Sequence, residues 1–298
     1  MALLARQAIL VLPSPLVNSR SVTRAYETFS TSPPLTQSNE EKKETATEDQ
    51  PMKTHSIRIT FLLTIISLAI TSTAKAQDFQ KTYRLAAGSQ VRIGAISGDV
   101  SVTAYDGDAI LVRATKTGRD RDLVEIEDRS GTANIDLGVR YPKHCNCDAS
   151  VNFDLQVPRS INYDFDHMSS VSGEVSVTGV TGRLHASSVS GGVHIKDVSG
   201  SVSASSVSGD VAVEIARLDG SDDMKFSSVS GGVRVTLPAS LDAEVDMSSF
   251  SGSIKTDFGV EVRTERYGSR SSARATLGSG SRHLKMSSIS GDLSLRHP

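Results

Sequence analysis

The chain has 298 residues, a formal net charge of −2, no tryptophan and aromatic residues at only 5%. Its length suggests one or two domains, and its charge balance offers no basic surface, so nucleic acid is excluded as a partner. With so few large side chains, any core must be slim and filled by Val, Ala and Ser.

Residues 1–51 carry Pro13, Pro15, Pro33 and Pro34, the charge run Glu40-Glu-Lys-Lys-Glu44, and no sustained hydrophobic period, which predicts a disordered leader. Met52-Lys-Thr-His-Ser-Ile-Arg58 is a basic lead-in, Ile59 to Ile70 is an apolar run, and Ala74-Lys75-Ala76 is a small-residue cleavage site. In that order the three parts make residues 52–76 a signal peptide cleaved after Ala76, with Met52 as the functional start and the leader upstream of it. The apolar run is shorter than the roughly 20 residues a membrane span needs. Two other readings stand beside it: a mitochondrial presequence around Arg6, Arg20 and Arg24, and an uncleaved anchor at Ile59 to Ile70, which would be the protein's only membrane contact. Cleaved or anchored, the segment points to an extracytoplasmic location: periplasm, cell envelope or secreted.

From Gln77 to about residue 165 the pattern is alternating. Tyr83, Leu85, Val91, Ile93, Val100, Val102, Ile110 and Val112 interleave with polar residues, and Asp106-Gly107 is a hairpin signal. Val151-Asn-Phe-Asp-Leu-Gln-Val157 is a two-period strand closed by Pro158. This region is predicted as an N-terminal β region that caps the repeats beginning at residue 166.

Residues 166–298 are built on one phrase. Met168-Ser-Ser-Val-Ser-Gly-Glu-Val175 returns as Ala186-Ser-Ser-Val-Ser-Gly-Gly-Val193 and as Ala204-Ser-Ser-Val-Ser-Gly-Asp-Val211, then at Ser227 to Val233, Ser248 to Ile254 and Ser287 to Leu293. A diverged copy, Ile96-Ser-Gly-Asp-Val100, lies upstream. The phrase glycines Gly173, Gly191, Gly209, Gly231, Gly252 and Gly291 are spaced by 18, 18, 22, 21 and 39. A fixed period of this size marks a stacked array, each unit burying its apolar face against its neighbours. Within the unit the apolar period is two and no helical stripe occurs, so each coil is two short strands ended by turns.

The predicted fold is therefore an all-β, parallel β-helix-like solenoid with about 18–22 residues per coil. An antiparallel β-sandwich is the alternative. Stacking predicts that Val171, Val189, Val207, Val229, Phe250 and Ile289 form one aliphatic row inside the core. The first serines, Ser169, Ser187, Ser205, Ser227, Ser248 and Ser287, would form an inward hydroxyl ladder. The turn glycines are expected to supply positive φ. The interval of 39 residues is expected to hold one degenerate coil and a loop within Lys255 to Gly280, before the array resumes at Ser287.

The repeated V-S-G-D/G-V phrase resembles the bacterial putative adhesin family, a domain of unknown function. The lead-in Phe153-Asp-Leu-Gln-Val-Pro-Arg159 and the ending Gly278-Ser-Gly280, with Leu284-Lys-Met-Ser-Ser-Ile-Ser-Gly-Asp-Leu293, carry the same resemblance. It covers about Gln77 to Pro298. It implies a secreted or envelope-attached β-solenoid and no catalytic residues; the 51-residue leader departs from the family pattern.

Few residues have the look of chemistry. His144-Cys-Asn-Cys-Asp148 holds both cysteines of the chain. In an oxidising compartment Cys145 and Cys147 read as a local disulfide rather than a zinc or copper site, since a second ligand pair is missing. Asp99, Glu174, Asp210 and Asp292 follow the turn glycine, where a calcium ladder is conceivable, yet Gly192, Gly232 and Ser253 interrupt it, and solvated turn residues are the plainer reading. Asp164, Asp166 and His167, or Asp222 and Asp223, are the candidates for an acid/base pair on a polysaccharide. The sequence as a whole points to a non-catalytic structural or interaction module with no cofactor, whose partner is an envelope protein or a surface polymer. A carbohydrate-active β-helix enzyme and an envelope signalling accessory are the alternatives.

Overall fold

The computed structural model describes residues 78–264 and 270–298. The leader, the signal segment and Ile59 to Ile70 lie outside the described residues.

The described residues are all-β apart from one short 3₁₀ turn, Arg121–Leu123. In chain order come β1 (Phe79–Tyr83), β2 (Gln90–Ala95), β3 (Val100–Tyr105), β4 (Ile110–Thr117), β5 (Glu125–Asp128), β6 (Asn134–Arg140) and β7 (Ser150–Pro158). Next are β8 (Asn162–Ser170), β9 (Val175–Thr178), β10 (Thr181–Ser188), β11 (Val193–Ser206), β12 (Val211–Arg217), β13 (Met224–Ser228) and β14 (Val233–Thr236). Last are β15 (Ala243–Ser249), β16 (Ile254–Thr256), β17 (Val262–Thr264), β18 (Ser271–Leu277), β19 (His283–Ser288) and β20 (Leu293–Arg296).

These strands build the two walls of a β-solenoid. The first wall, formed by the strands that lead into the V-S-G turns, runs β6, β2, β8, β10, the second half of β11, β13, β19 and β15, all parallel. The second wall, formed by the strands that leave the turns, runs β7, β3, β9, the first half of β11, β12, β14, β20 and β16, also parallel. The strand β11 belongs to both walls and turns its corner near Asp197, at φ 53. Inward residues alternate with outward ones and merge into one core holding Tyr163, Phe153, Phe165 and Phe226. That is the packing a two-residue period produces when both walls share an interior.

Antiparallel strands close the ends. On one end β5 pairs with β6, and β4 pairs with β7 and carries β1; on the other, β18 pairs with β15 and carries β17. The outermost strands β1, β5, β16 and β17 have five, four, three and three residues. Short edges limit strand addition by another chain.

The coils are stacked out of chain order at both ends. Ser227 is in register with Ser287, and Ser287 with Ser248, so the last phrase of the sequence lies between the two phrases that precede it. The chain leaves β16, runs out along the end hairpin β17–β18, and returns one layer inward as β19 and β20. At the other end β2 and β3 lie between the β6–β7 coil and the β8–β9 coil. The first and last coils of the sequence are thus each gripped on two sides. The 39-residue interval is this excursion and return, not a degenerate coil followed by the next in line.

Four other expectations are corrected. The row of Val171, Val189, Val207, Val229, Phe250 and Ile289 exists, but it faces outward: Val189 and Val207 are each 43% exposed and Phe250 67%. The inward ladder is made by the second serine of each phrase, while the first serines face out. Leu184, Ala186 and Ser188 are buried in step, so the alternation of the incoming strand itself puts Val189 outside, and parity changes only in the Ser190–Gly192 turn before Val193 faces in. The strands flanking Asp106-Gly107 are not a hairpin, since β7 lies between β3 and β4. Finally, the phrase glycines Gly173, Gly191, Gly209, Gly231, Gly252 and Gly291 do not have positive φ, unlike Gly182 and Gly200 on the opposite edge.

Candidate functional site

The V-S-G edge is the most regular surface of the molecule, and its atoms explain the phrase letter by letter. A Cβ at Gly191 would lie 2.0 Å from the carbonyl oxygen of Gly173, and one at Gly209 would lie 2.2 Å from that of Gly191. Glycine is required by close approach between coils, not by dihedral freedom. The carbonyl that occupies this space is also held. Ser188 Oγ donates to Gly173 O at 2.7 Å, and Ser206 Oγ to Gly191 O at 2.8 Å. Each hydroxyl also accepts the N–H of its own glycine three residues on, Gly191 to Ser188 and Gly209 to Ser206, both at 3.0 Å. A buried hydroxyl that both donates and accepts is fully satisfied, which is why serine recurs there. The same bond to a neighbouring glycine carbonyl is made by Ser170, Ser228, Ser249 and Ser288. The S-x-x-G spacing was the signal in the sequence that identifies these serines, ahead of the first serines that alternation favoured.

The residue after the glycine completes the edge. Asp99, Asp210 and Asp292 accept the backbone N–H of Glu174, Gly232 and Ser253 in the neighbouring coil, at 2.8, 2.7 and 2.7 Å. The bonds from the Ser253 backbone and hydroxyl hold the Asp292 carboxyl below the usual carboxylate range. In spatial order the position reads Gly192, Asp210, Gly232, Asp292, Ser253, so that each acid in this stretch has uncharged neighbours. These carboxylates staple coil to coil. Among the described residues no group of three or more His, Cys, Asp or Glu side chains is arranged to hold a metal ion.

The remaining candidates fall on the first wall and its far edge. In β8 the register against β10 shifts between Phe165 and Met168, a bulge that spaces Asp166 and His167 out beside Arg92. Asp166 Oδ2 accepts from Arg92 Nε at 2.7 Å. A cleft of about 540 Å³ lies here, lined by Arg92, Asp136, Asp166, His167 and His185 among others. Asp222 pairs with Arg183 at 3.1 Å, and that hydrogen bond raises the Arg183 pKa. Asp223 accepts the His283 N–H at 2.9 Å. The structure brings Asp164 and Asp222, from coils 58 residues apart, to one open cleft of about 350 Å³ with Arg183 between them. Asp164 Oδ1 is buried without a hydrogen-bond partner. Asp166, Asp222 and Asp223 are all engaged in holding neighbouring strands. Neither Arg92 nor Arg183 could be singled out from the sequence, because their partners come from other coils.

Cys145 and Cys147 lie side by side, with Cα atoms 5.1 Å apart, in the loop between β6 and β7. Within the loop, His144 has a φ of 61. It lies at the end of the solenoid away from the repeats, and Tyr141 Oη donates to Ala149 O across its base at 2.9 Å.

The fold and this edge define an all-β solenoid whose coils are locked by a serine–glycine spine. Residues 164–296 match the Toastrack DUF4097 family, a domain of unknown function. Two solved structures are similar to it at low identity. One is a putative cell adhesion protein from Clostridium sporogenes, at 12% identity and a TM-score of 0.42, covering 74% of this chain and 99% of the other. The second is a putative adhesin from Bacteroides fragilis, at 13% identity and a TM-score of 0.31, covering 74% of this chain and 96% of the other. No curated protein matches the sequence.

Proposed function

We propose that this chain is a non-catalytic, adhesin-like β-solenoid of the cell envelope or the secreted fraction, presenting its rigid outer walls to an envelope protein or a surface polymer. The observation that carries this reading is the use made of its acidic side chains. Asp99, Asp210 and Asp292 bind backbone of the next coil, and Asp166, Asp222 and Asp223 bind Arg92, Arg183 and the His283 N–H. A carboxylate committed to holding two coils together cannot also be free to move protons on a substrate. A disulfide between Cys145 and Cys147, whose Cα atoms lie 5.1 Å apart, fits an oxidising compartment, where such bonds persist. The signal-peptide pattern of residues 52–76 supports the same location.

A second reading rests on Asp164, whose unpartnered oxygen lies beside the cleft it shares with Asp222. It keeps a polysaccharide-cleaving activity in view. A screen of purified protein against envelope and extracellular polysaccharides decides between them. The first reading expects binding without chain shortening; cleavage that disappears in Asp164→Asn would replace it with the second.

A further inference from the structure

Among the described residues, the outward row on the V-S-G edge is an extended apolar feature that the fold itself does not use. The backbone bonds Ser190 N–H to Val171 O, Ser208 N–H to Val189 O, Ser230 N–H to Val207 O and Ser290 N–H to Val229 O, each 2.8 or 2.9 Å, carry these positions from coil to coil. Side chains therefore recur about every 4.8 Å. From Ile96 to Phe250 every coil places an aliphatic or aromatic residue at this solvent-facing position, between 39% and 67% exposed. No step of the coil's hydrogen bonding needs an apolar side chain there; the serine and the glycine do that work.

We propose that this row is the interface between two copies of the chain, paired along a two-fold axis that runs lengthwise down the row, coil facing equivalent coil. Three observations select this occupant. The first is period: a ladder of valines one strand spacing apart is matched along its whole length only by another such ladder, the arrangement of a dry side-chain zipper. The second is area. The row alone reaches the roughly 300–600 Å² of the largest apolar patch on an ordinary monomer. With the exposed serines beside it, the surface approaches the roughly 800 Å² per partner of a stable interface. The third is charge. The acids Asp99, Glu174, Asp210 and Asp292 flank the row on the second-wall side only. On the first-wall side come neutral serines, and beyond them Lys225 and Lys285 in register with each other and with Asp246. A lengthwise two-fold sets the acidic flank of one copy against the neutral serine flank of its partner. An axis across the row would set acids against acids, which costs energy. The pairing stands independently of what the walls bind.

The test is sedimentation of the purified protein together with a series of variants that each carry one added cysteine. Wild type is expected to sediment as a dimer, and Val207→Lys to weaken association at least tenfold while keeping the wild-type circular dichroism. Val171→Cys, Val189→Cys, Val207→Cys and Val229→Cys are each expected to cross-link to the same position of the partner with a short thiol-to-thiol reagent, as read by mass spectrometry. The thiol is smaller than the valine it replaces, so this series reports even if lysine disturbs the fold. A monomeric wild type, a dimer indifferent to Val207→Lys, or cross-linking at one position alone would overturn the proposal.

Discussion

The two edges of the coil are built on different terms. The V-S-G edge repeats one arrangement, serine hydroxyl to glycine carbonyl, through six coils. The opposite edge is assembled case by case. There Gly182 and Gly200 turn with φ of 133 and 132, Asp242 receives the Gly280 N–H at 2.7 Å, and Arg282, only 8% exposed, donates to Gly220 O at 2.6 Å. Where coil-to-coil bonds are identical, the sequence must repeat; where each turn finds its own partners, insertions are tolerated and the period drifts from 18 to 22.

The regular edge runs unbroken through the place where chain order and spatial order part, from Gly231 to Gly291 to Gly252. Removing residues 283–298 should therefore open a gap inside the rod rather than shorten it. Leu284, Met286, Leu293 and Leu295 are fully buried, and losing them costs on the order of 6–12 kcal/mol, comparable to the whole stability of a domain. Circular dichroism and denaturant titration of the truncated chain should show an unfolded or collapsed state. A folded, merely shorter rod would break the comparison.

The next effect separates the edges directly. Gly209→Ala forces a Cβ onto a backbone carbonyl of the facing coil and is expected to cost about 3 kcal/mol or more. Gly220→Ala, with φ 73 and open space around it, should cost only about 1–2 kcal/mol of backbone strain. Urea midpoints of the two variants measure the contrast, and equal losses would contradict it.

Within one phrase, Ser206→Ala leaves Gly191 O and Gly209 N–H without their partner and should cost about 2 kcal/mol. Ser205→Ala, on the outward face, should stay within about 0.5 kcal/mol of wild type by the same titration.

The smallest effect lies in the N-terminal cap. Partial burial pushes the Asp128 carboxyl up, but hydrogen bonds from Lys81, Ser130 and Tyr83 outweigh it and bring its pKa down to about 2. A depressed folded-state pKa stabilises above the unfolded value near 4 and loses that stabilisation as pH falls toward 2. Solvent screening of this surface cluster limits the gain to about 1 kcal/mol. Melting temperatures between pH 5 and pH 2 should fall less steeply in Asp128→Asn than in wild type.

Much of this architecture was legible in the sequence because repetition is itself a structural statement. Near-identical phrases imply near-identical neighbours, and the two-residue period implies strands. What could not be read was which side of the phrase faces inward. The alternation of Leu184, Ala186 and Ser188 puts Val189 out and Ser188 in, the reverse of what hydropathy suggests, and the parity shift falls in the turn beyond the valine. The insertion of the last coil was equally hidden, because Ser248 and Ser287 carry the same letters and either could follow Ser227. The Arg92–Asp166 and Arg183–Asp222 pairs join coils 74 and 39 residues apart, and no local spacing announces them.

Stacking order is tested most directly by paired cysteines on the outward serines of the first wall. Neighbouring in-register positions fall within the 4.4–6.8 Å Cα range that a disulfide spans, whereas positions two strands apart do not. The predicted result is that Ser227→Cys with Ser287→Cys forms an intramolecular disulfide readily, and Ser227→Cys with Ser248→Cys does not. Ready bonding of the second pair and none of the first would mean that the coils follow the chain in simple order, and the inserted final coil would be wrong.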